Sequence, residues 1–331
     1  MSIDDKNLVY APGAVALADT MDDVAVVVVT WNAAETIDDC LRSVLAPGAT
    51  GLAVVVADNA SSDGTPERVR DLARTDPRLR LLPMGRNAGF GAACNAGASI
   101  ADRPLALFLN PDARLQPGAL ARMVGRMRVD PSIAVAGAWS CDAHGVPWLE
   151  AGRLPDVWRE AVDKVRYALR GRIARAPADE GGDVEVEWVS GACMLVRHAA
   201  IPGATLFDER YFLYFEDKDL CARARAATGR VVVVGGARLV HVGGASARKA
   251  GERTAVAYRE SQLRYYAKHR GPVELFVLRV VLTLAFVARA ALSLVLPRAT
   301  RFGPRLAFRL VGVLWRDAAA PTLVGDPGAG P

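Results

Sequence analysis

Leu105-Ala106-Leu107-Phe108-Leu109-Asn110-Pro111-Asp112 is the stretch from which the fold is read. Five apolar residues run without a break and stop at Asn-Pro-Asp. A short apolar run bounded by turn residues is the pattern of a strand buried on both faces, as in a parallel sheet. Ligands of open α/β sheets gather beyond the carboxyl ends of such strands. Asp112 therefore stands at the mouth of a cleft. Pro111 fixes its own φ and holds Asn110 toward extended geometry, which aims the turn. A carboxylate so placed suits a hard divalent cation, the kind of ion that clamps substrate phosphates. A plain strand-to-turn cap uses the same residue types, so neighbouring stretches must decide.

Upstream, Val24 to Val29 is another apolar run, closed by Thr30-Trp31-Asn32. Ile37, Leu41, Val44 and Leu45 then recur at helical spacing within Ala33 to Leu45. Leu52 to Ala57 reads as a second strand, and Pro66 to Ala73 as a second helix. Strand, helix, strand, helix predicts a parallel sheet with helices on its faces. Between them lies Asp58-Asn59-Ala60-Ser61-Ser62-Asp63-Gly64-Thr65. Carboxylates in that turn can accept hydrogen bonds from a base or a ribose, and its backbone N–H groups can face phosphate. Asx-turn chemistry that starts the next helix is the competing explanation. A third strand, Leu79 to Leu82, feeds the glycine-rich turn Gly85 to Asn95. Gly89, Gly91 and Cys94 fall on a GxGxxG frame with cysteine in the third place, a weak dinucleotide signal. Its physical content is a backbone that a ligand can approach closely, with Arg86 to meet phosphate. A tight packing turn is the alternative.

Downstream, Pro117 to Arg128 reads as an amphipathic helix and Ile133 to Trp139 as a strand. Trp158, Val162, Val165, Leu169 and Ile173 recur at helical spacing among basic residues. That helix either lies on a membrane surface or packs on the body with its charges solvated. Val184 to Trp188 alternates like a half-exposed strand, and Ser190 to Arg197 leads into another. Asp208 to Leu220 is acidic and aromatic, with Glu216, Asp217 and Asp219 at the start of a helix running through Arg225. Acids there favour the helix dipole. Acids beside apolar rings are also how a general base is built. Val231 to Val234 is a last strand, followed by His241 before a pair of glycines. That histidine is either structural or a ligand for metal or phosphate.

Composition narrows the class. The chain has 331 residues, 51% hydrophobic and 23% charged, which suits one large domain or a domain with an appendage. A net charge of +5 is modest and asks for no nucleic acid. Five scattered cysteines without a CxxC pair suggest neither a zinc site nor a disulfide framework, and fit a reducing compartment. Met1 to Asp22 has no basic start followed by an apolar run, so no secretory leader is expected.

Together these stretches resemble the inverting GT-A glycosyltransferases of family 2, especially bacterial rhamnosyltransferases that act on polyprenyl-diphosphate-linked sugars. The resemblance rests on Val29 to Asn32, Ala57 to Thr65, Arg86 to Gly97, Leu109 to Asp112, Ser190 to Arg197, Phe207 to Arg225 and His241 to Ser246. It covers residues 24 to 270 in the family's order. It implies an α/β, Rossmann-like fold, a mostly parallel sheet flanked by helices. By resemblance Asp58 contacts the nucleotide base, in a donor site with Thr30, Asn32, Ser61 and Asp63. Arg86, Asn87, Gly89, Asn95 and Asn110 extend that site. Asp112 is the surviving carboxylate of the family's DxD metal motif, with Asn110 in its first position. His241 joins it at a divalent ion, Mg²⁺ or Mn²⁺. Asp217 matches the catalytic base, with Glu216 beside it. Trp188, Gly191, Tyr214 and Asp219 fall on the acceptor side.

Glu274 to Leu296 is strongly apolar, with Val277, Val280, Val281, Leu284, Val287, Ala288, Ala291 and Val295 on one helical face. Arg279 and Arg289 interrupt it. An arginine at the bilayer centre costs roughly 2.5–3.5 kcal/mol, which disfavours a simple span. An interfacial helix fits better, and Arg298, Arg301, Arg305, Arg309 and Arg316 suit anionic lipid. A helical cap on the catalytic domain is the alternative. The expected plan is a flexible segment 1–21, a glycosyltransferase domain 22–270, membrane-associating helices 271–317 and a disordered tail 318–331. The expected activity is inverting transfer of L-rhamnose from dTDP-rhamnose to a lipid-diphosphate-linked saccharide, in cell-wall or surface-polysaccharide synthesis. The expected location is the cytoplasm, peripheral at the inner face of the plasma membrane; whether the chain pairs as a homodimer stays open. Rival functions are a non-catalytic sugar-nucleotide-binding partner and an NAD-dependent Rossmann oxidoreductase.

Overall fold

Valine-rich strands set the centre of the sheet because helices cover both of its faces. The computed structural model describes residues 20–45, 50–141, 147–159, 162, 182–241, 245–295 and 304–323. Its first half runs β1 (Val24–Thr30), α1 (Ile37–Val44), β2 (Ala53–Asp58), α2 (Thr65–Ala73), β3 (Leu79–Pro83), α3 (Phe90–Ala101), β4 (Leu105–Leu109), β5 (Ala113–Leu115), α4 (Ala119–Val129) and β6 (Ile133–Cys141). Then come β7 (Pro147–Trp148), β8 (Ala151–Gly152), β9 (Val184–Val186), β10 (Trp188–Val189), β11 (Cys193–Arg197), α5 (Glu216–Ala226) and β12 (Arg230–His241). Three helices follow, α6 (Ala245–His269), α7 (Gly271–Val295) and α8 (Pro304–Leu314). The described residues fall into two compact units: 20–154, 182–209 and 217–246 in one, 155–162, 210–216 and 247–323 in the other.

In the first unit the strand order is β3-β2-β1-β4-β11-β6-β12-β5, with β7 on β6 and β9 on β12. β3, β2, β1 and β4 are parallel. β11 is antiparallel to β4 and to β6. Alternation along β1 and β4 separates two cores. Val24, Val26, Val28, Leu105, Leu107 and Leu109 pack on the α1, α2 and α4 side. Val27, Val29, Ala106 and Phe108 pack on the α3 and α5 side, where Phe108 meets Phe207 edge-on with centroids 4.8 Å apart. A two-stranded ladder pairs β8 with β10. The sheet is mixed: β3, β2, β1 and β4 run parallel, as do β6 and β12, and helices cover both faces.

The first helix begins at Ile37, the first of its apolar positions and four residues after Ala33, where the stretch was read to start. The reason is local. The N–H groups of Asn32, Ala33 and Ala34 are bonded by Ser61, Thr65 and Asp63, which holds that stretch as a loop.

The second unit is built on α6. Ser261 donates to the Leu213 carbonyl at 2.9 Å, and Phe215 packs against Tyr258 and Tyr265 with centroids 5.2 and 5.6 Å away. The unit therefore includes residues 210–216. Buried Glu260 accepts from Arg316, Thr322 and the Leu323 N–H, and Arg264 donates to the Ala318 and Ala320 carbonyls. Residues 318–323 are thereby ordered against α6, while 324–331 lie outside the described residues. So do residues 1–19, most of the basic stretch 158–173, and Arg298 and Arg301. Helix α7 carries a 23-residue stretch, Gly271–Ser293, that is long and apolar enough to cross a membrane by length and composition. Val273, Phe276, Val281, Leu284 and Val287 of α7 are exposed, as are Phe308 and Trp315 at α8.

Candidate functional site

The carboxyl ends of β1 and β2 are stitched together by the side chains expected to hold a nucleotide. Thr30 and Asp58 are register partners at the strand ends, and Thr30 Oγ1 donates to Asp58 Oδ1 at 2.8 Å. Ser61 donates to the same carboxylate through its N–H at 3.0 Å and its hydroxyl at 2.5 Å. Asn32, at φ 54, accepts the Ser62 N–H on its side-chain oxygen at 2.8 Å. Asp63 accepts from the Ala34 N–H, the Thr65 N–H and the Thr65 hydroxyl. Burial pushes its carboxyl up, but those hydrogen bonds outweigh it and hold it below the usual carboxylate range. Both explanations of this turn meet here: Asx chemistry shapes it, and Asp58 remains at the strand end.

Asn59, which sequence reasoning did not single out, connects this turn to the glycine-rich loop. Its amide donates to the Gly89 carbonyl at 3.1 Å, and its oxygen accepts the Ala88 N–H at 3.2 Å. Asn87 accepts the Gly89 N–H at 3.2 Å. Arg86 is exposed, with no ion pair among the described residues. Gly91 faces a crowded wall, since a Cβ there would lie 3.0 Å from Cβ of Phe207. Asn95 on α3 gives both polar groups to the 207–209 segment, to the Phe207 backbone at 2.9 Å on each side and to Glu209 at 3.0 Å. The GxGxxG-like frame is thus a packing turn that carries the loop beside Asp58.

Beyond β4, the Asn110 carbonyl accepts the Ala113 N–H at 3.1 Å, closing the turn that presents Asp112. Pairing of β12 with β5 sets His241 opposite Ala113. His241 Nε2 then lies 3.3 Å from Asp112 Oδ1. On the other side of the ring, Nδ1 lies 3.0 Å from both oxygens of Glu150. Burial disfavours a charge on His241, but the hydrogen bonds and negative charges of Asp112 and Glu150 prevail, and the imidazole is pushed up to about 9. Among the described residues no three His, Cys, Asp or Glu side chains gather around a common point to hold a metal by themselves. A carboxylate and an imidazole nitrogen converging at one point nevertheless suit a Mg²⁺ or Mn²⁺ that takes its remaining ligands from phosphate and water. Glu150 had no motif to mark it in Pro147-Trp148-Leu149-Glu150-Ala151-Gly152.

The loop before β11 connects this corner to the expected base. Asn110 N–H donates to the Ala192 carbonyl at 3.0 Å, and the neighbouring Gly191 N–H donates to Asp217 Oδ2 at 3.4 Å. Gly191 is required for closeness: a Cβ would lie 3.0 Å from the Phe90 ring and 3.9 Å from Cβ of Asp217. Asp217 is buried at the start of α5, with Lys218 N–H on Oδ1 at 2.7 Å and Lys218 Nζ 3.5 Å from the same oxygen. Lys218 also stands 3.7 Å above the Trp188 ring, a contact that sequence reasoning missed. Asp219, expected on the acceptor side, faces inward. It is 0% exposed and paired with Arg223 at 2.9 Å, because the helix turns it inward beneath the 202–206 loop. Glu216 and Tyr214 belong to the second unit, where Tyr214 meets Tyr258 edge-on and burial pushes its hydroxyl up. Cys40, Cys193 and Cys221 are buried, and burial pushes all three thiols up, which removes them as nucleophiles.

Comparison with known proteins identifies a family and a fold. Residues 25–175 match the family described as Glycosyl transferase family 2. Over 236 residues the chain is 30% identical to an N-acetylglucosaminyl-diphospho-decaprenol L-rhamnosyltransferase of Mycobacterium tuberculosis, covering 66% of this chain and 76% of that protein. The structure is similar to a mannosyltransferase from Pyrobaculum calidifontis in complex with GDP-Man and Mn²⁺, with TM-score 0.51 and 19% identity over 76% of this chain and 66% of that one. It is also similar to GalNAc-T7 with UDP, GalNAc and Mn²⁺, with TM-score 0.54 and 14% identity over 80% of this chain and 48% of that one. These two likenesses show the fold.

Proposed function

The chain belongs to glycosyl transferase family 2 and is a glycosyltransferase, and from that premise we propose that it moves L-rhamnose from dTDP-rhamnose to a lipid-linked saccharide. The acceptor is a hydroxyl of a saccharide carried on polyprenyl diphosphate, in cell-wall or surface-polysaccharide synthesis, and the enzyme works at the cytoplasmic surface of a membrane. The similarity to the decaprenol L-rhamnosyltransferase supports the choice of donor and acceptor. The exposed apolar residues of α7 and α8 support the membrane surface.

One observation carries the reading. A single unit holds Asp58 and Asp112 at the carboxyl ends of its parallel strands and, through the Asn110–Ala192 hydrogen bond, the loop that holds Asp217. In this reading Asp58 and its turn bind the nucleoside. Asp112 and His241 would hold a divalent cation, which supplies Lewis-acid stabilisation of the leaving diphosphate when bound. Asp217 accepts the proton of the acceptor hydroxyl as that oxygen bonds to the anomeric carbon and the bond to the diphosphate breaks. Attack from the face opposite the leaving group inverts the anomeric configuration. Gly191 N–H and Lys218 orient the carboxylate for this step.

The test is direct. Purified protein is incubated with Mn²⁺, a panel of nucleotide sugars and a lipid-diphosphate GlcNAc acceptor, and products are read by mass spectrometry. Gain of one deoxyhexose with dTDP-rhamnose supports the proposal. Transfer of a different sugar, or to a different acceptor, overturns the donor or acceptor assignment.

A further inference from the structure

We propose that Glu150 is a positioning residue that aims the imidazole of His241 at the cation site, an inference that rests on Asp112 and His241 holding a divalent ion. Both Glu150 oxygens lie 3.0 Å from His241 Nδ1, on the side of the ring away from Asp112. A carboxylate in that place takes the Nδ1 proton as a hydrogen-bond acceptor. The proton that a bound cation would displace is then the one on Nε2, the nitrogen that faces Asp112. Metal-ligating histidines commonly use this arrangement, with a carboxylate behind the ring fixing tautomer and direction.

Glu150 is itself built in from three sides. Ser140 Oγ on β6 donates to Oε2 at 3.0 Å. The Ser190 N–H donates to the Glu150 carbonyl at 2.8 Å. The adjacent β8 residues Ala151 and Gly152 pair with Val189 and Trp188 of β10. The strand that supports Glu150 is therefore paired with the strand that carries Trp188 toward the expected acceptor side. Glu150 thus connects the cation corner to the β8–β10 ladder. The pattern is specific in atoms: two oxygens on Nδ1, one carboxylate on Nε2, and a hydroxyl that fixes the outer carboxylate. A surface glutamate that happened to touch a histidine would have neither the β6 hydroxyl nor the ladder behind it.

The experiment measures Mn²⁺ affinity of the full chain in the presence of dTDP, by the electron paramagnetic resonance signal of free Mn²⁺. Wild type, D112A, H241A, E150A and E150Q are compared, with circular dichroism and metal-free dTDP binding as checks of folding. D112A and H241A test the site itself. If neither changes Mn²⁺ affinity, or if wild type binds no Mn²⁺, the site assignment falls and the role of Glu150 with it. Where both weaken binding, E150A is expected to weaken it by about 10–100-fold, the usual cost of losing such a supporting carboxylate. E150Q is expected to lose less, because its side-chain oxygen still accepts from Nδ1–H. E150A with wild-type affinity overturns the positioning role alone. E150Q as weak as E150A also overturns it, since the effect would then belong to lost charge and not to the hold on the ring.

Discussion

His241 Nε2 faces Asp112 Oδ1 across 3.3 Å, although the two residues lie far apart in the sequence. The contact exists because β12 pairs with β5, whose first residue follows Asp112 directly. A register slip of one residue in that short pairing would turn His241 to the other face of the sheet.

Asp112→Ala is expected to fold normally and to lose the metal dependence of donor binding. Its carboxylate lies at a turn beyond β4 and is not part of either hydrophobic core. Titration calorimetry with dTDP, with and without Mn²⁺, reads the effect. Metal-dependent affinity equal to wild type would remove Asp112 from the cation site.

Asp217→Asn is expected to lower kcat by roughly 10²–10⁴-fold, the ordinary share of general base catalysis. Donor Kd should hardly change, because the base acts on the acceptor hydroxyl in the transition state. Asparagine keeps the shape and one oxygen for the Gly191 N–H. Should the variant turn over at near the wild-type rate, Glu216 becomes the first candidate for the base.

Asp63 makes a stability prediction with a defined pH sign. Its carboxyl sits below the usual range because hydrogen bonds from Thr65 and Ala34 outweigh burial. A carboxyl lowered on folding stabilises the protein above its unfolded value, and that stabilisation is lost as pH falls through the folded value. Asp63→Ala should therefore cost on the order of 1 kcal/mol at neutral pH through the lost hydrogen bonds, a small figure because the side chain is exposed and screened by solvent. The gap in Tm between wild type and variant should narrow as pH is lowered from 6 to about 3. Calorimetric melts across that range check it, and a gap independent of pH would refute it.

Phe276→Glu with Leu284→Glu should release the protein from anionic vesicles while leaving the fold intact. Both side chains are more than half exposed on α7, at 58% and 65%. Burying one such side chain in lipid contributes about 1.5–3 kcal/mol, so the pair should shift partitioning by at least tenfold. Arg305 and Arg309 are exposed on α8, so binding should also weaken with salt. Flotation at low and high salt is the measurement. A double variant that floats like wild type would assign the face to something other than lipid.

The candidate site was partly legible in the chain. Asp58, Asp112 and Asp217 stand out because each closes or opens a segment whose type is set by local pattern. Asn59, Glu150 and Lys218 were not, because their roles depend on partners brought in from other segments: Gly89, His241 and Trp188. Asp219 pairs with Arg223 one turn along α5, and only the fold shows that the Arg223 guanidinium is also held by the Pro202 and Leu206 carbonyls. Contacts of Glu260 on α6 with Thr322 and Leu323 likewise depend on the fold and have no local signal.

The sequence by itself determined the alternation of strands and helices, the turn chemistry at Asp58 and Asp63, and the position of Asp112 at a strand's carboxyl end. These follow from apolar periodicity and turn residues, which act over a few neighbours. Tertiary structure alone decided that β11 enters antiparallel between β4 and β6, and that β12 reaches across the irregularity after Val233 to pair with β5. It alone decided that His241 lies between Asp112 and Glu150. Strand order and register are chosen by long-range burial on two faces of one sheet, and no local window of residues encodes that choice.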